Sequence, residues 1–128
     1  MVVIKKFVLR TSNFVVMNVI ITGASRGFGK AIAEIFAENG HNLYLTSMHE
    51  GRLYKTMEEL LNKYSSVTIK AKAFDLSKKE QAQEFGKWCL QNGEPDVLVN
   101  NAGSFAGANI PGYCNVFRFF NFSHTLNP

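Results

Sequence analysis

The chain has 128 residues and little cysteine: its two cysteines, Cys89 and Cys114, form neither a CxxC pair nor a zinc-type spacing. This pattern favours reduced thiols in the cytoplasm over a metal or disulfide framework. The sequence also has no apolar run approaching the roughly 20 residues that a membrane-spanning helix needs. With 46% hydrophobic and 19% charged residues, the composition is typical of one modest globular domain without a membrane partner.

Acidic residues are absent from both ends of the chain. All ten lie between positions 17 and 103, where ten lysines and arginines balance them. The net charge of +4 therefore comes from Lys5, Lys6, Arg10 and Arg118. A nucleic-acid-binding protein needs clustered positive charge on its folded domain, so this distribution argues against a nucleic-acid partner.

The two ends of the chain differ in composition from the part between them. Residues 1–16 are basic and partly apolar, which fits a short transit peptide. The favoured interpretation is an N-terminal extension upstream of a natural start at Met17. Residues 108–128 form a divergent aromatic tail, which a frameshift or truncation after about Asn109 explains more simply than a selected role. The expected domain is 17–107.

Strand-like and helix-like segments alternate through this central part. Strands are predicted at 18–22, 42–47, 67–74 and 97–99, because these runs are apolar or alternate apolar with polar residues. Helices are predicted from Phe28 to about Gly40, over 50–64, and after Ser77, where SKKE suggests a capping box. The order predicts a Rossmann-type three-layer α/β/α fold with a parallel sheet, strand order 3-2-1-4, truncated after the fourth strand.

A glycine-rich turn, TGASRGFG, joins the first predicted strand to the first helix. Gly23 can adopt backbone angles that a Cβ forbids, Gly27 lets the main chain approach a pyrophosphate, and Gly29 permits close packing of helix on sheet. Incidental glycines in an ordinary turn are the alternative. A P-loop does not fit, because its spacing requires four residues between the outer glycines and a Ser or Thr after the lysine.

The ends of two other predicted strands also carry residues suited to a nucleotide. Asp75 follows the third strand, where its carboxylate could accept from an adenine amino group; a turn role ahead of Ser77 is the alternative. The sequence NNAG follows the fourth strand, and its small residues permit close approach of the backbone to a ribose or adenine. In this topology the first and fourth strands lie side by side, so their loops should meet.

Together, TGASRGFG, Asp75-Leu76 and NNAG resemble the short-chain dehydrogenase/reductase family over residues 17–107. The resemblance implies an oxidoreductase that reduces carbonyls or oxidises alcohols by transferring a hydride from or to a dinucleotide cofactor. It also implies roles for matched residues. Those expected at the pyrophosphate and adjoining ribose are Gly23, Ser25, Arg26, Gly27, Phe28 and Gly29, and those expected around the adenosine are Asp75, Leu76, Asn100, Ala102 and Gly103.

The second predicted strand ends near Ser47, followed by Met48 and His49. An NAD site usually offers a carboxylate to the ribose 2′-hydroxyl near this point, and no acid is present there. Arg26 in the glycine-rich turn could pair with a 2′-phosphate. These features favour NADP over NAD, with Ser47 as a further cofactor-binding residue, although Met48 stands where many NADP-using relatives have arginine.

The resemblance further implies a catalytic Tyr-x3-Lys pair, and the sequence lacks one. Met48, Glu58, Thr68 and Phe117 stand four residues after the four tyrosines. No catalytic or metal-binding residue is therefore assigned, and the chain alone is expected to be inactive towards a small carbonyl or alcohol. The alternative is a non-catalytic nucleotide-binding or interaction module that docks a partner through its aromatic tail. In either case, the open edge of the fourth strand is expected to be exposed.

Overall fold

The structure is a computed structural model that describes the backbone of residues 2–4 and all of residues 15–102. Within these ranges five strands and three helices alternate after the first strand. In chain order they are β1 (Val2–Ile4), β2 (Asn18–Thr22), α1 (Gly27–Glu38), β3 (Asn42–Thr46), α2 (Glu50–Lys63), β4 (Ile69–Ala71), α3 (Lys79–Gln91) and β5 (Val97–Val99).

The strands form one sheet in the order β1-β5-β2-β3-β4. Strand β2 lies at its centre and pairs in parallel with β3 on one side and β5 on the other. Ile20 faces Tyr44 in one neighbour and Leu98 in the other. The order β4-β3-β2-β5 is the predicted 3-2-1-4, so the truncated Rossmann-type α/β fold is confirmed.

The edge of the sheet differs from the prediction. Val2–Ile4 pairs with β5 in antiparallel fashion, with Val3 opposite Leu98. The expectation that the outer edge of the fourth predicted strand is exposed is therefore wrong along this ladder. A sheet edge presents unpaired backbone donors and acceptors, and β1 satisfies part of that row from within the same chain.

The side chains of the central strands alternate between two cores. Val19, Ile21, Leu43 and Leu45 join the cluster that contains residues of α1 and α2, including Ala33 and Leu53. The intervening strand positions, Ile20, Tyr44 and Leu98, face the opposite way. They join a second cluster with residues of α3 and of the segment before it: Phe74, Leu76, Ala82, Phe85 and Cys89. Because side chains along a strand alternate between faces, fully apolar central strands are buried on both sides, which gives the three α/β/α layers.

Strand β4, which is the third predicted strand, and helix α3 are shorter than predicted. Strand β4 ends at Ala71 rather than at position 74, although Lys72 and Phe74 still donate backbone hydrogen bonds to the carbonyls of Leu45 and Ser47. The predicted capping box at Ser77 is wrong. Helix α3 begins at Lys79 with Lys78 at the N-cap position. The Ser77 N–H, which the Glu80 side chain would accept in a capping box, donates to Asp75 Oδ1 instead, as does the Ser77 hydroxyl.

Positions 1, 5–14 and 103–128 lie outside the described residues, so the aromatic tail and its proposed docking role fall outside the described structure. Across the part that is described, no helix is long and apolar enough to cross a bilayer.

Candidate dinucleotide-binding site

The carboxyl ends of β2 and β5 are joined by one hydroxyl group. Thr22 Oγ1 accepts hydrogen bonds from the backbone N–H groups of Asn101 and Ala102, both at 2.9 Å. The same hydroxyl donates to Asn100 Oδ1 at 3.3 Å. Thr22 and Asn100 are almost completely buried. The two loops that the sequence expected to meet are therefore in contact, and Thr22 is a contributor that the sequence analysis did not single out.

The outer glycines of TGASRGFG are required by close packing. Gly23 has a φ of +65°, which favours glycine. A Cβ on Gly29 would lie 2.1 Å from the Gly23 carbonyl oxygen and 2.8 Å from Asn101 Nδ2. The backbone of α1 therefore packs directly on the Gly23 peptide and on Asn101.

The N-terminus of α1 has free hydrogen-bonding capacity. Arg26 is the N-cap residue, but its side chain makes no capping hydrogen bond, and the first turn contains no acidic residue. A Cβ on Gly27 would meet no protein atom within 4 Å, so open space adjoins the backbone there. Phe28 is 83% exposed beside it. The first N–H groups of a helix have no intrahelical acceptor and, with the helix dipole, favour a bound anion.

Three hydroxyl groups connect this turn to β3 and α2. Ser47 Oγ donates to Ser25 Oγ at 2.9 Å, and Thr56 Oγ1 donates to the Ser25 carbonyl oxygen at 3.0 Å. The His49 N–H donates to Ser47 Oγ at 3.3 Å. Arg26 and Met48 lie at the exposed border of this group. The sequence predicted Ser25 and Ser47 as neighbours of the cofactor but gave no sign of Thr56, since a threonine in a helix is an ordinary residue.

The segment that contains Asp75 lies beside the end of β3, because the N–H of Phe74 donates to the Ser47 carbonyl. Asp75 Oδ1 accepts from the Ser77 hydroxyl at 2.6 Å and from the Ser77 N–H at 3.1 Å. These hydrogen bonds lower the pKa of the Asp75 carboxyl. Asp75 thus makes the turn contacts with Ser77 that were the alternative to an adenine contact. Leu76 is 7% exposed and packs in the core against α3.

Eleven of the twelve predicted site residues fall in the described ranges, and Gly103 lies outside them. The turn from Gly23 to Gly29 is placed beside Ser47 on one side and beside Asn100 and Ala102 on the other. Within residues 15–102 no group of three His, Cys, Asp or Glu side chains is arranged to hold a metal ion. The arrangement offers amides and hydroxyls, which are groups suited to the phosphates and sugar hydroxyls of a nucleotide.

Comparison with known proteins agrees with this geometry. The short chain dehydrogenase family model matches residues 17–117. A diacetyl reductase [(S)-acetoin forming] from Staphylococcus epidermidis is 42% identical over 86 residues, which cover 66% of this chain and 32% of that protein. The chain therefore spans about a third of the length of this curated relative.

Solved structures show the same fold. L-sorbose reductase from Gluconobacter frateurii, complexed with NADPH and L-sorbose, superposes with a TM-score of 0.70 at 26% identity, covering 81% of this chain and 46% of that one. An alcohol dehydrogenase from the archaeon Thermococcus sibiricus, complexed with 5-hydroxy-NADP, gives a TM-score of 0.73 at 31% identity, covering 84% and 53%.

Proposed function

Because the chain belongs to the short-chain dehydrogenase family, we propose that it is the cofactor-binding part of an oxidoreductase and binds NADP in preference to NAD. In such an enzyme the dinucleotide supplies or accepts the hydride that interconverts a small carbonyl compound and its alcohol. The residues described here would hold the cofactor's phosphates and adenosine. Cys89 is a free, buried thiol, which suits the reducing cytoplasm.

The observation that carries this proposal is the uncapped N-terminus of α1 beside Gly27. The helix begins without a side-chain cap or an acid, so its first amides have their hydrogen-bonding capacity and positive dipole end available for a pyrophosphate. The open space at Gly27 leaves room for a ligand to touch the backbone. Packing of Gly29 against Gly23 fixes the direction in which those amides point.

The preference for NADP rests on the charges around the 2′ position of the ribose. Ser47 directly follows β3, and the next acidic residue along the chain is Glu50, in the first turn of α2. Arg26 is exposed beside the Ser25–Ser47 hydroxyl pair, where its guanidinium could pair with a phosphate. The L-sorbose reductase and alcohol dehydrogenase structures, which hold NADPH and 5-hydroxy-NADP, support this choice.

The adenine would lie between the Asp75 segment and the loop after β5. Because Ser77 occupies Asp75 Oδ1, the other carboxylate oxygen would accept from the adenine amino group. Asn100 would act mainly by holding the β5 loop to Thr22, while Ala102 and Gly103 would line the adenosine side. Leu76 would offer only the small exposed part of its side chain.

We also propose that these 128 residues do not transfer hydride by themselves. The sequence contains no Tyr-x3-Lys. Tyr44 donates its hydroxyl hydrogen bond to the Asn92 carbonyl, and burial raises the pKa of its phenol, which makes it a poor proton donor or acceptor near neutral pH. The Tyr64 hydroxyl likewise donates to Glu34.

A fluorescence titration with NADPH tests the binding proposal. Gly27→Ala places a methyl group in the open space at the helix start and should weaken NADPH binding at least about tenfold (~1.4 kcal/mol). Gly27 has a φ of +59°, where any side chain strains the backbone, so the control is Gly40→Ala, which carries the same kind of strain at a φ of +81° beyond the other end of α1. Equal affinities of the two variants would contradict this placement of the cofactor.

The inactivity proposal needs a separate assay. The purified full chain is incubated with NADPH and a panel of aldehydes and ketones, and oxidation of the cofactor is followed by absorbance. We expect binding without turnover. Sustained turnover by the pure chain would refute the proposal that these 128 residues do not transfer hydride by themselves.

A further inference from the structure

Thr56 is a polar residue on the buried face of α2, between Leu53 and Leu60 along the helix. It is 2% exposed, and burying a hydroxyl is costly unless it finds a hydrogen-bond partner. Its partner is the Ser25 carbonyl oxygen, 3.0 Å away in the glycine-rich turn. A helix residue that cannot reach solvent therefore holds one peptide group of the candidate phosphate site.

This hydrogen bond fixes more than a carbonyl. The Ser25 carbonyl and the Arg26 N–H belong to the same peptide plane, and no cis peptide occurs among the described residues. In a trans peptide the C=O and N–H point in opposite directions. Because the carbonyl points towards α2, the Arg26 N–H points away from α2. Thr56 therefore fixes the orientation of the peptide plane from which the Arg26 side chain extends.

The Ser25 side chain is held by a separate hydrogen bond. Ser25 Oγ accepts from Ser47 Oγ, which itself accepts from the N–H of His49. A hydroxyl that accepts one hydrogen bond still has a proton to donate, so Ser25 Oγ could also donate to a ligand oxygen. Chains of hydrogen bonds polarise one another, so the Ser25 hydroxyl lies at the end of a relay that begins at the backbone of His49.

We propose that Thr56 is a positioning residue that sets the preference for a 2′-phosphorylated adenosine, without touching the cofactor itself. It does so by fixing the Ser25–Arg26 peptide plane, which places the Ser25 hydroxyl and the Arg26 guanidinium at the 2′-phosphate. This inference rests on the proposed function and names a residue in the layer behind the cofactor site.

The pyrophosphate subsite depends on different contacts. Its amides belong to Gly27–Gly29, which are held by the packing of Gly29 on the Gly23 carbonyl and on Asn101. None of these contacts involves Thr56. Loss of the Thr56 hydroxyl should therefore weaken NADPH, which carries the 2′-phosphate, much more than NADH, which lacks it.

The test compares dissociation constants for NADPH and NADH, measured by calorimetry on the full chain. Thr56→Val keeps the size and shape of the side chain and removes only the hydroxyl. We expect about tenfold weaker binding of NADPH (~1.4 kcal/mol) and no more than about threefold weaker binding of NADH. Thr56→Ser, which restores the donor, should keep the wild-type ratio of the two constants to within about twofold.

A matched substitution controls for general effects of Thr→Val. Thr68 is exposed and contributes backbone rather than side-chain hydrogen bonds to its neighbours, so Thr68→Val should leave both constants unchanged. If circular dichroism shows that Thr56→Val does not fold, Thr56→Ala removes the same hydroxyl with a smaller side chain. It should then lower the NADPH preference about fivefold (~1 kcal/mol).

The outcomes separate the two proposals. A folded wild-type chain that binds neither dinucleotide refutes the proposed function, and this inference falls with it. A wild-type chain that prefers NADPH, together with a Thr56→Val variant whose preference is unchanged, refutes the positioning role alone. Equal weakening of both cofactors by Thr56→Val would also refute it, because a merely structural role predicts that result. If Thr56→Ala has to replace Thr56→Val, an unchanged preference in Thr56→Ala refutes the inference in the same way.

Discussion

The Thr22 hydroxyl makes three hydrogen bonds to the loop after β5. Thr22→Val removes this hydroxyl while preserving the shape of the side chain. The substitution deprives the N–H groups of Asn101 and Ala102 of their acceptor and ends the donation to Asn100 Oδ1. Thr22 itself is fully buried, so water cannot replace the hydroxyl at that position without opening the loops.

The expected loss of stability follows from these three bonds. A buried donor left without an acceptor costs about 1–3 kcal/mol, and an ordinary hydrogen bond contributes about 0.5–1.5 kcal/mol. Asn101 and Ala102 are only partly buried, so their amides should cost amounts near the lower limit. We expect the free energy of unfolding to fall by about 2–4 kcal/mol, which is a large part of the total for a small domain.

Urea unfolding followed by circular dichroism measures this change. Thr22→Ser is the control, since it keeps the hydroxyl and loses one methyl group, and should cost only about 1 kcal/mol. NADPH affinity should fall in the valine variant, because the loop after β5 is no longer held against β2. A valine variant within about 0.5 kcal/mol of the wild type would refute the assigned role of the hydroxyl, as would a serine variant equally destabilised.

Three further predictions concern packing, burial and the sheet edge. Gly29→Ala should lower the free energy of unfolding by at least about 2 kcal/mol, because its Cβ would lie 2.1 Å from a carbonyl oxygen; Gly51→Ala should not, and a stable Gly29→Ala variant would contradict the observed packing. Burial raises the pKa of the Cys89 thiol well above its usual 9.0, so stability should be full below about pH 9 and fall as the pH rises further, by at most about 1.4 kcal/mol per pH unit. Urea unfolding against pH should show this slope in the wild type and a smaller one in Cys89→Ala; identical slopes would contradict it. Removal of residues 1–4 should speed hydrogen exchange of the β5 amides that point away from β2 at least about tenfold (~1.4 kcal/mol of protection), and unchanged exchange would show that β1 does not protect that edge.

Much of the fold was predictable because its signals are local. Each of the strands β2 to β5 reads as a short apolar or alternating run, and each helix carries apolar residues at helical spacing between recognisable turns. The handedness of parallel crossovers then limits the order of the strands. The glycines of the turn were equally predictable. The backbone angle of Gly23 disfavours a side chain, and close contact with the Gly23 carbonyl excludes one at Gly29.

The features that the sequence did not predict depend on contacts between distant residues. Val2–Ile4 pairs with a strand more than ninety positions away, and no turn signal announces such a ladder. The capping box at Ser77 was wrong, and Asp75 accepts the Ser77 N–H that Glu80 would accept in a capping box. Thr56 donates a hydrogen bond to Ser25, 31 positions away in the sequence. The residues around Thr56 in the helix do not indicate this contact.

The most direct test of the central claim is hydrogen–deuterium exchange of the full chain with and without NADPH. Binding at the start of α1 predicts slower exchange at residues 23–29, with smaller effects near Ser47 and Asn100–Ala102, and no change along the amino ends of the strands. A folded chain whose exchange NADPH leaves unchanged, or slows only outside these segments, would contradict the assignment of this site as a dinucleotide-binding site.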